Sequence, residues 1–230
     1  MKRFWKDVEL VEAEGGFAIR LDGRPLKTPA RDTLVVPTRA LGEAIAAEWR
    51  GCGEEIDPRS MPLTGLANAA IDRVAPDPEK FAAELARYAE ADLFCYRAER
   101  PQSLADRQAE IWDPLLAWAR RRFDVDFELT SGIIHRSQPE ATVKRLAAAL
   151  AALDPFRLAA MSPLVTISGS LVAALALAEE AFPADVLWDA VSLDERWQLE
   201  KWGSDAEAEA ALALRRADFM AAARFIALLD

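Results

Sequence analysis

The residues with the greatest potential for chemistry lie near the carboxyl end, where an acid interrupts an apolar helical pattern. At about 100° per residue, five side chains share one stripe of a helix: Trp188, Val191, Glu195, Leu199 and Trp202. A carboxylate in such a face must find a hydrogen-bonding partner, shift its pKa, or be satisfied by another molecule. Glu195 is therefore the leading candidate for a functional residue.

The same segment carries a second apolar face. Its members are Val186, Ala190, Leu193 and Trp197. A helix with two apolar faces is either enclosed in the core or uses one face to meet a partner, and the pattern leaves both possibilities open.

A capping role for Glu195 is the structural alternative. Ser192-Leu-Asp-Glu195 matches a capping box, in which the Glu195 side chain would bind the Ser192 amide at a helix start. That arrangement requires a helix that begins at Ser192. Because residues 184–191 already have helical periodicity and no helix breaker follows, we predict one continuous helix over residues 184–202.

An enzyme on a helical scaffold, with Glu195 as general acid/base, is the alternative function. It requires a concave pocket with a second titratable group, and the neighbouring Asp194 points about 100° away on a helix. His135, in a predicted loop, is the only histidine. A single histidine excludes zinc sites built from several histidines. No nucleotide-binding or nucleophile-elbow motif occurs. We therefore predict no metal and no cofactor.

Composition narrows the class of protein. The chain has 230 residues, is 52% hydrophobic and carries a formal net charge of -10. This balance favours a globular protein that stays in solution and argues against binding to a phosphate backbone. We expect no nucleic-acid partner.

Several features bear on the cellular compartment. Cys52 and Cys95 are the only cysteines and lack CxxC spacing, so neither a disulfide framework nor a zinc site is expected. The residues after Met1 form neither a signal peptide nor a transit segment, which predicts a bacterial cytoplasmic protein.

Residues 161–178 contain no charge and approach the length of a membrane span. Pro163, Gly169 and four hydroxyl residues favour a buried helix instead, so we predict no membrane insertion.

The order of elements predicts an α+β fold. Alternating apolar residues and the Asp22-Gly23 turn indicate a small antiparallel β-meander domain in residues 1–37. Residues 38–230 have helical periodicity and form the larger, mostly α-helical domain on which the meander packs. Within this scheme we assign structural roles to Gly23, Trp49 and Trp112. A helix is expected from Thr38, as its N-cap, up to Gly51. Further helices are expected near residues 60–74, 78–91, 104–123, 140–153, 155–182 with a possible break at Pro163, 184–202 and 204–229.

Several segments, in order over nearly the whole chain, resemble one family. They are residues 15–29 (GGFAIRLDGRPLKTP), 47–49 (AEW), 61–64 (MPLT), 95–97 (CYR), 112–114 (WDP) and 195–203 (ERWQLEKWG). Together they are similar to the F1-ATP synthase assembly chaperones that bind the unassembled alpha subunit.

The resemblance implies a non-enzymatic function. Such a protein would shield the hydrophobic interface of the free alpha subunit until a beta subunit replaces it, which suits surface destined for a permanent interface. The family's functional acid corresponds to Asp194 or Glu195, and the helical stripe selects Glu195; whether this residue contacts the client or is structural stays open. The predicted partner-binding set consists of Glu195, Gln198, Trp202 and Asp194. The family's eukaryotic members are mitochondrial matrix proteins, and this chain is expected to be monomeric when free.

Overall fold

The computed structural model describes residues 2–132, 134–203 and 205–230. These residues form two compact units. Unit 1 comprises the chain up to Pro78 together with Asp154–Ala160 and Ala221–Asp230; unit 2 comprises Glu79–Leu153 and Met161–Met220. The expected α+β class, with a small antiparallel sheet near the amino terminus and a mostly helical remainder, is confirmed. The domain boundary between residues 37 and 38 stays a prediction.

The sheet of unit 1 is centred on its second strand. The strands are β1 (Val8–Ala13), β2 (Gly16–Leu21), β3 (Arg24–Pro25) and β4 (Val35–Val36). β1 pairs antiparallel with the whole of β2, whereas β3 and β4 both pair with the other edge of β2. The meander prediction is therefore wrong for β4, which returns to β2 instead of extending the sheet beyond β3. β3 is only two residues long and offers little edge for a further strand.

The turn between β2 and β3 has the predicted chemistry. Asp22 has φ 49° and Gly23 has φ 76°, so both central residues occupy the left-handed region that a tight type I′ hairpin turn requires. A Cβ atom at Gly23 would meet nothing within 4 Å, so backbone conformation rather than space explains glycine at this position.

A helix covers the sheet. Helix α1 (Arg39–Gly51) begins after Thr38, whose hydroxyl accepts the Leu41 amide at 3.2 Å, and it packs on β1, β2 and β4. Helix α2 (Pro62–Ala69) continues as a π-helical turn, Ala70–Val74. The two helices are joined by the Glu48 carboxylate, which accepts the Leu63 and Thr64 amides at 2.8 Å each. This cap explains physically why the segments 47–49 and 61–64 occur together.

Trp49 also lies in unit 1. Its ring centroid is 4.9 Å from that of Trp5, which is buried, and Trp49 itself is half-buried. This packing is compatible with the structural role expected for Trp49, which stays a prediction.

The helices of unit 2 follow the predicted order. They are α3 (Pro78–Ala86), α4 (Gln102–Phe123), α5 (Glu140–Ala151), α6 (Pro155–Ser168), α7 (Leu171–Ala178), α8 (Ala184–Val191), α9 (Leu193–Trp202) and α10 (Ala206–Ala227). Of these, α3 and α6 begin in unit 1 and α10 ends there. Between them, β5 (Tyr96–Arg97) pairs in parallel with β6 (Thr130–Ser131), in two segments for which no helix was predicted.

The uncharged run of residues 161–178 forms parts of two helices. Helix α6 passes through Pro163, and the chain turns at Gly169, which has φ 67°. Ser170 then caps α7 by accepting the Ala173 amide at 3.0 Å. Within the described residues, no helix is both long enough and apolar enough to cross a membrane.

A fully buried acid, Asp92, anchors the start of α7. Its carboxylate accepts the Val172 amide at 2.9 Å, the Phe94 amide at 3.0 Å and the Ser170 hydroxyl at 2.8 Å. Burial raises the pKa of Asp92 from 3.8 to about 6, although these hydrogen bonds act in the opposite direction. The side chain thus fixes the turn between α6 and α7, and its carboxyl group stays protonated to a higher pH than that of an ordinary aspartate.

The stability contribution of Asp92 should depend on pH. The native state retains this proton where the unfolded chain has lost it, so the contribution is present below pH 3.8 and is lost as the pH rises through about 6. We expect the stability advantage of the unmodified protein over Asp92→Asn to fall by about 2 kcal/mol between about pH 4 and about pH 7. Urea unfolding of both proteins across this range measures the difference, and an advantage that grows with pH would contradict the assignment.

Candidate functional site

The expectation of one continuous helix over residues 184–202 is wrong. Helix α8 ends at Val191 and α9 begins at Leu193, with Ser192 between them at φ -95° and ψ 7°. The Ser192 hydroxyl donates to the Trp188 carbonyl at 2.7 Å, a local bond that competes with regular helix geometry. The capping box does not form either, because the Ser192 amide donates to the Trp188 carbonyl at 3.0 Å.

The break separates the residues of the predicted apolar stripe. Trp188 is buried, whereas Trp202 is 78% exposed. Most of the second face is enclosed instead: Ala190, Leu193 and Trp197 are buried. The exposure of Trp202 is compatible with the role in partner binding expected for it, which stays a prediction.

Glu195 forms a two-pronged ion pair with Arg215 of α10. Its two carboxylate oxygens accept from the two terminal guanidinium nitrogens of Arg215, each at 2.7 Å. The Glu195 side chain is 44% exposed and the Arg215 side chain 42%. The carboxylate is therefore paired within the protein but remains accessible from outside.

Asp194, the neighbouring acid, has a different partner. Gln108 of α4 donates from Nε2 to Asp194 at 2.7 Å, and its Oε1 accepts the Ala98 amide at 2.8 Å. Partial burial raises the pKa of Asp194, the Gln108 bond lowers it, and the nearby Glu195 charge raises it further. Asp194 thus binds the buried amide of Gln108, whereas Glu195 binds the half-exposed guanidinium of Arg215.

Sequence reasoning missed both partners. Gln108 lies four residues before Trp112 on the buried face of α4, so a polar residue within an apolar stripe was a signal that could have found it. Arg215 gave no such signal, since it is 20 residues from Glu195 and its neighbour Arg216 is chemically identical.

Trp112 connects the same helices. Its side chain is fully buried, its indole Nε1 donates to the Ala190 carbonyl at 2.8 Å, and its ring centroid is 5.5 Å from that of Phe94. These contacts join α4 to α8 and are compatible with the structural role expected for this residue.

The recess beside the two acids is small. It has a volume of about 150 Å³ and is lined by Leu93, Ile167, Ser168, Trp188, Val191, Ser192, Asp194, Glu195 and Arg215. Ligand pockets usually enclose about 300 to 1,000 Å³, so this recess is too small for a typical substrate. Among the described residues, no group of three or more His, Cys, Asp or Glu side chains could hold a metal ion.

Exposed side chains occur on each of these three helices. Val186 of α8 is 48% exposed and Leu214 of α10 is 62% exposed. On α9, Gln198 is exposed near the middle of the helix and Trp202 ends it. Glu195, Gln198 and Trp202 are three and four residues apart along α9 and so share one face of this helix, which we call the C-terminal surface.

Comparison with known proteins identifies the family. Residues 2–120 match a family model described as "ATP12 chaperone protein". The chain belongs to the ATP12 chaperone family. Its structure is similar to the crystal structure of Atp12 from Paracoccus denitrificans, with a TM-score of 0.94 and 43% sequence identity, covering 100% of this chain and 98% of that one. This similarity includes the C-terminal surface, which lies beyond the residues matched by the family model.

Two mitochondrial members of the ATP12 family are more distant relatives. The protein named "atp12, mitochondrial" from Schizosaccharomyces pombe is 26% identical over 215 residues, covering 88% of this chain and 74% of the relative. The corresponding protein from Saccharomyces cerevisiae is 25% identical over 248 aligned positions, covering 88% of this chain and 76% of the relative.

Replacement of Gln108 tests the interior link to Asp194. Gln108→Leu leaves the Ala98 amide without its acceptor and Asp194 without its donor, so we expect a loss of about 2 kcal/mol in unfolding free energy. Gln102→Leu, on the same helix but exposed, should change it by less than about 0.5 kcal/mol. Urea unfolding measures both, and equal losses would show that the buried link has no special importance.

Proposed function

We propose that this protein is an assembly chaperone of F1-ATP synthase that binds the free alpha subunit and shields its hydrophobic interface until the beta subunit replaces it. It acts in the bacterial cytoplasm, without catalysis or a cofactor, and is monomeric when free. Membership of a chaperone family supports the general function. The observation that carries the proposed surface is a half-exposed carboxylate on helices that also expose large apolar side chains.

Trp202 is the proposed apolar anchor. An indole that is 78% exposed leaves most of its large apolar surface in water, and tryptophan is enriched among residues that dominate interface energies. Gly203 follows at φ 85° and ends α9, so the indole stands at a helix end rather than within a continuous helix. A client that covers this side chain would bury apolar area without rearranging the core.

Glu195 is the proposed polar contact. A carboxylate offers about four acceptor positions, and the ion pair with Arg215 uses two of them. The remaining positions can receive donors from the client and so fix its register. Gln198 supplies a further exposed amide on α9. Asp194, bound to Gln108, supports the start of α9 instead of contacting the client.

Release requires no chemistry from the chaperone. An interface that becomes permanent in the assembled enzyme is larger and better matched than a temporary one, so the native beta subunit can displace the chaperone by binding more tightly. The alternative of an enzyme that uses Glu195 as general acid/base has a second titratable group in the recess, Asp194, but the recess of about 150 Å³ is too small for a typical substrate.

Truncation of Trp202 should weaken client binding without affecting the fold. We expect Trp202→Ala to raise the Kd for purified free alpha subunit by about 30-fold, the loss typical of an interface anchor. The melting temperature should stay within about 2 °C, because the side chain is exposed. Phe4→Ala removes another exposed aromatic, outside α8–α10, and should leave the Kd unchanged. Equal affinities of all three proteins would remove Trp202 from the interface.

Charge reversal at Glu195 tests the polar contact. Glu195→Lys places a cation beside Arg215, and we expect at least about 10-fold weaker binding with the circular dichroism spectrum retained. Glu200→Lys is the matched control: it makes the same change on the same helix, at a 48% exposed acid paired with Arg107, and should bind normally. A Glu195→Lys protein that is unfolded would show that this residue is structural.

The cellular client can be identified directly. The tagged protein should retain free alpha subunit from a lysate of its source cells and should not retain assembled F1, in which the relevant surface is already covered. Retention of assembled F1 alone would argue against an assembly chaperone.

A further inference from the structure

The ion pair between Glu195 and Arg215 raises the question of what the arginine contributes. Residues 206–218 of α10 are exposed except at two positions, Leu212 and Arg215. Arg215 is therefore less exposed than most residues of this segment, although 42% of its side chain remains accessible. Its guanidinium meets both Glu195 oxygens at 2.7 Å, a geometry that a lysine could not reproduce.

We infer that Arg215 is a positioning residue, which holds the Glu195 carboxylate in one orientation and compensates its charge when the alpha subunit covers it. This inference rests on the proposed function. A bare carboxylate is costly to bury, whereas a paired and hydrogen-bonded one costs less. Glu195 also lies beside the negatively charged Asp194, so Arg215 supplies the positive charge in this small cluster.

The pairing also limits the motion of Glu195. A free glutamate side chain samples several rotamers and loses that freedom on binding, which weakens the binding. Two bonds to a planar guanidinium fix the carboxylate before the client arrives. The carboxylate positions that the guanidinium does not use then have a defined direction for the client's donors.

Arg216 provides a matched control. It follows Arg215 directly, is also half-exposed, and pairs with Asp185 of α8. Arg216→Gln therefore removes the same charge and a comparable link from α10, but leaves Glu195 and its partner untouched.

The experiment measures binding of purified free alpha subunit to Arg215→Gln, Arg215→Lys and Arg216→Gln. We expect Kd to rise about 10-fold for Arg215→Gln and about 3-fold for Arg215→Lys, which keeps the charge but not the two-pronged contact. Arg216→Gln should stay within about 2-fold of the unmodified protein. Thermal melts of each variant establish that it is folded, and if Arg215→Gln is not, the comparison rests on Arg215→Lys and Arg216→Gln.

A charge exchange separates positioning from simple attachment of α10. The double variant Glu195→Arg with Arg215→Glu restores an attractive pair but moves the carboxylate to α10. Its melting temperature should therefore recover from that of Glu195→Arg alone, while its binding of alpha subunit stays weak. Full recovery of binding would overturn the inference, as would equal losses in Arg215→Gln and Arg216→Gln or normal binding by Arg215→Gln. Failure of the unmodified protein to bind alpha subunit would instead refute the proposed function, whatever the variants do.

Discussion

The arrangement of the C-terminal surface depends on how two adjacent carboxylates are held apart. Consecutive positions on a helix point about 100° apart, and each acid here has its own partner. Asp194 binds the buried amide of Gln108, and Glu195 binds the guanidinium of Arg215. One acid thereby secures α9 to α4, while the other is directed towards α10 and stays accessible to solvent. Without these separate partners, the two negative charges would repel each other at the start of the helix.

This division connects the fold to the proposed function. Trp188 and Ala190 of α8 and Leu193 and Trp197 of α9 are buried and supply the packing that fixes both helices. Glu195 and Trp202 remain accessible on α9, as the proposed temporary partner of a hydrophobic surface requires. In the proposed function, stability depends on the buried side chains of these short helices and recognition on the exposed ones.

Regular elements were predictable where local chemistry specifies them. Asp22 and Gly23 take the positive φ values expected of their turn, and Thr38 caps α1. The errors occurred where local signals compete. A helix over residues 155–182 was expected, with a possible break at Pro163, yet α6 runs through Pro163 and ends at Ser168, and the buried Asp92 stabilises the start of the next helix. Ser192 was read as helix interior, yet its hydroxyl bond to the Trp188 carbonyl accompanies a break. The first outcome depends on Asp92, which is 80 residues from Val172 in the sequence, whereas the second depends on a local bond that helical periodicity does not reveal.

The candidate site shows the same limit. Sequence pattern alone selected Glu195 as an acid in an unusual place, placed it near Trp202, and through family resemblance indicated a chaperone. Only the tertiary structure decided that Glu195 meets Arg215, that Asp194 meets Gln108, and that Trp202 is exposed rather than part of a buried stripe. The physical reason is that periodicity and turn chemistry act over a few residues, whereas the partner of a charged side chain is chosen by chain segments that are distant in sequence and meet only when the helices pack.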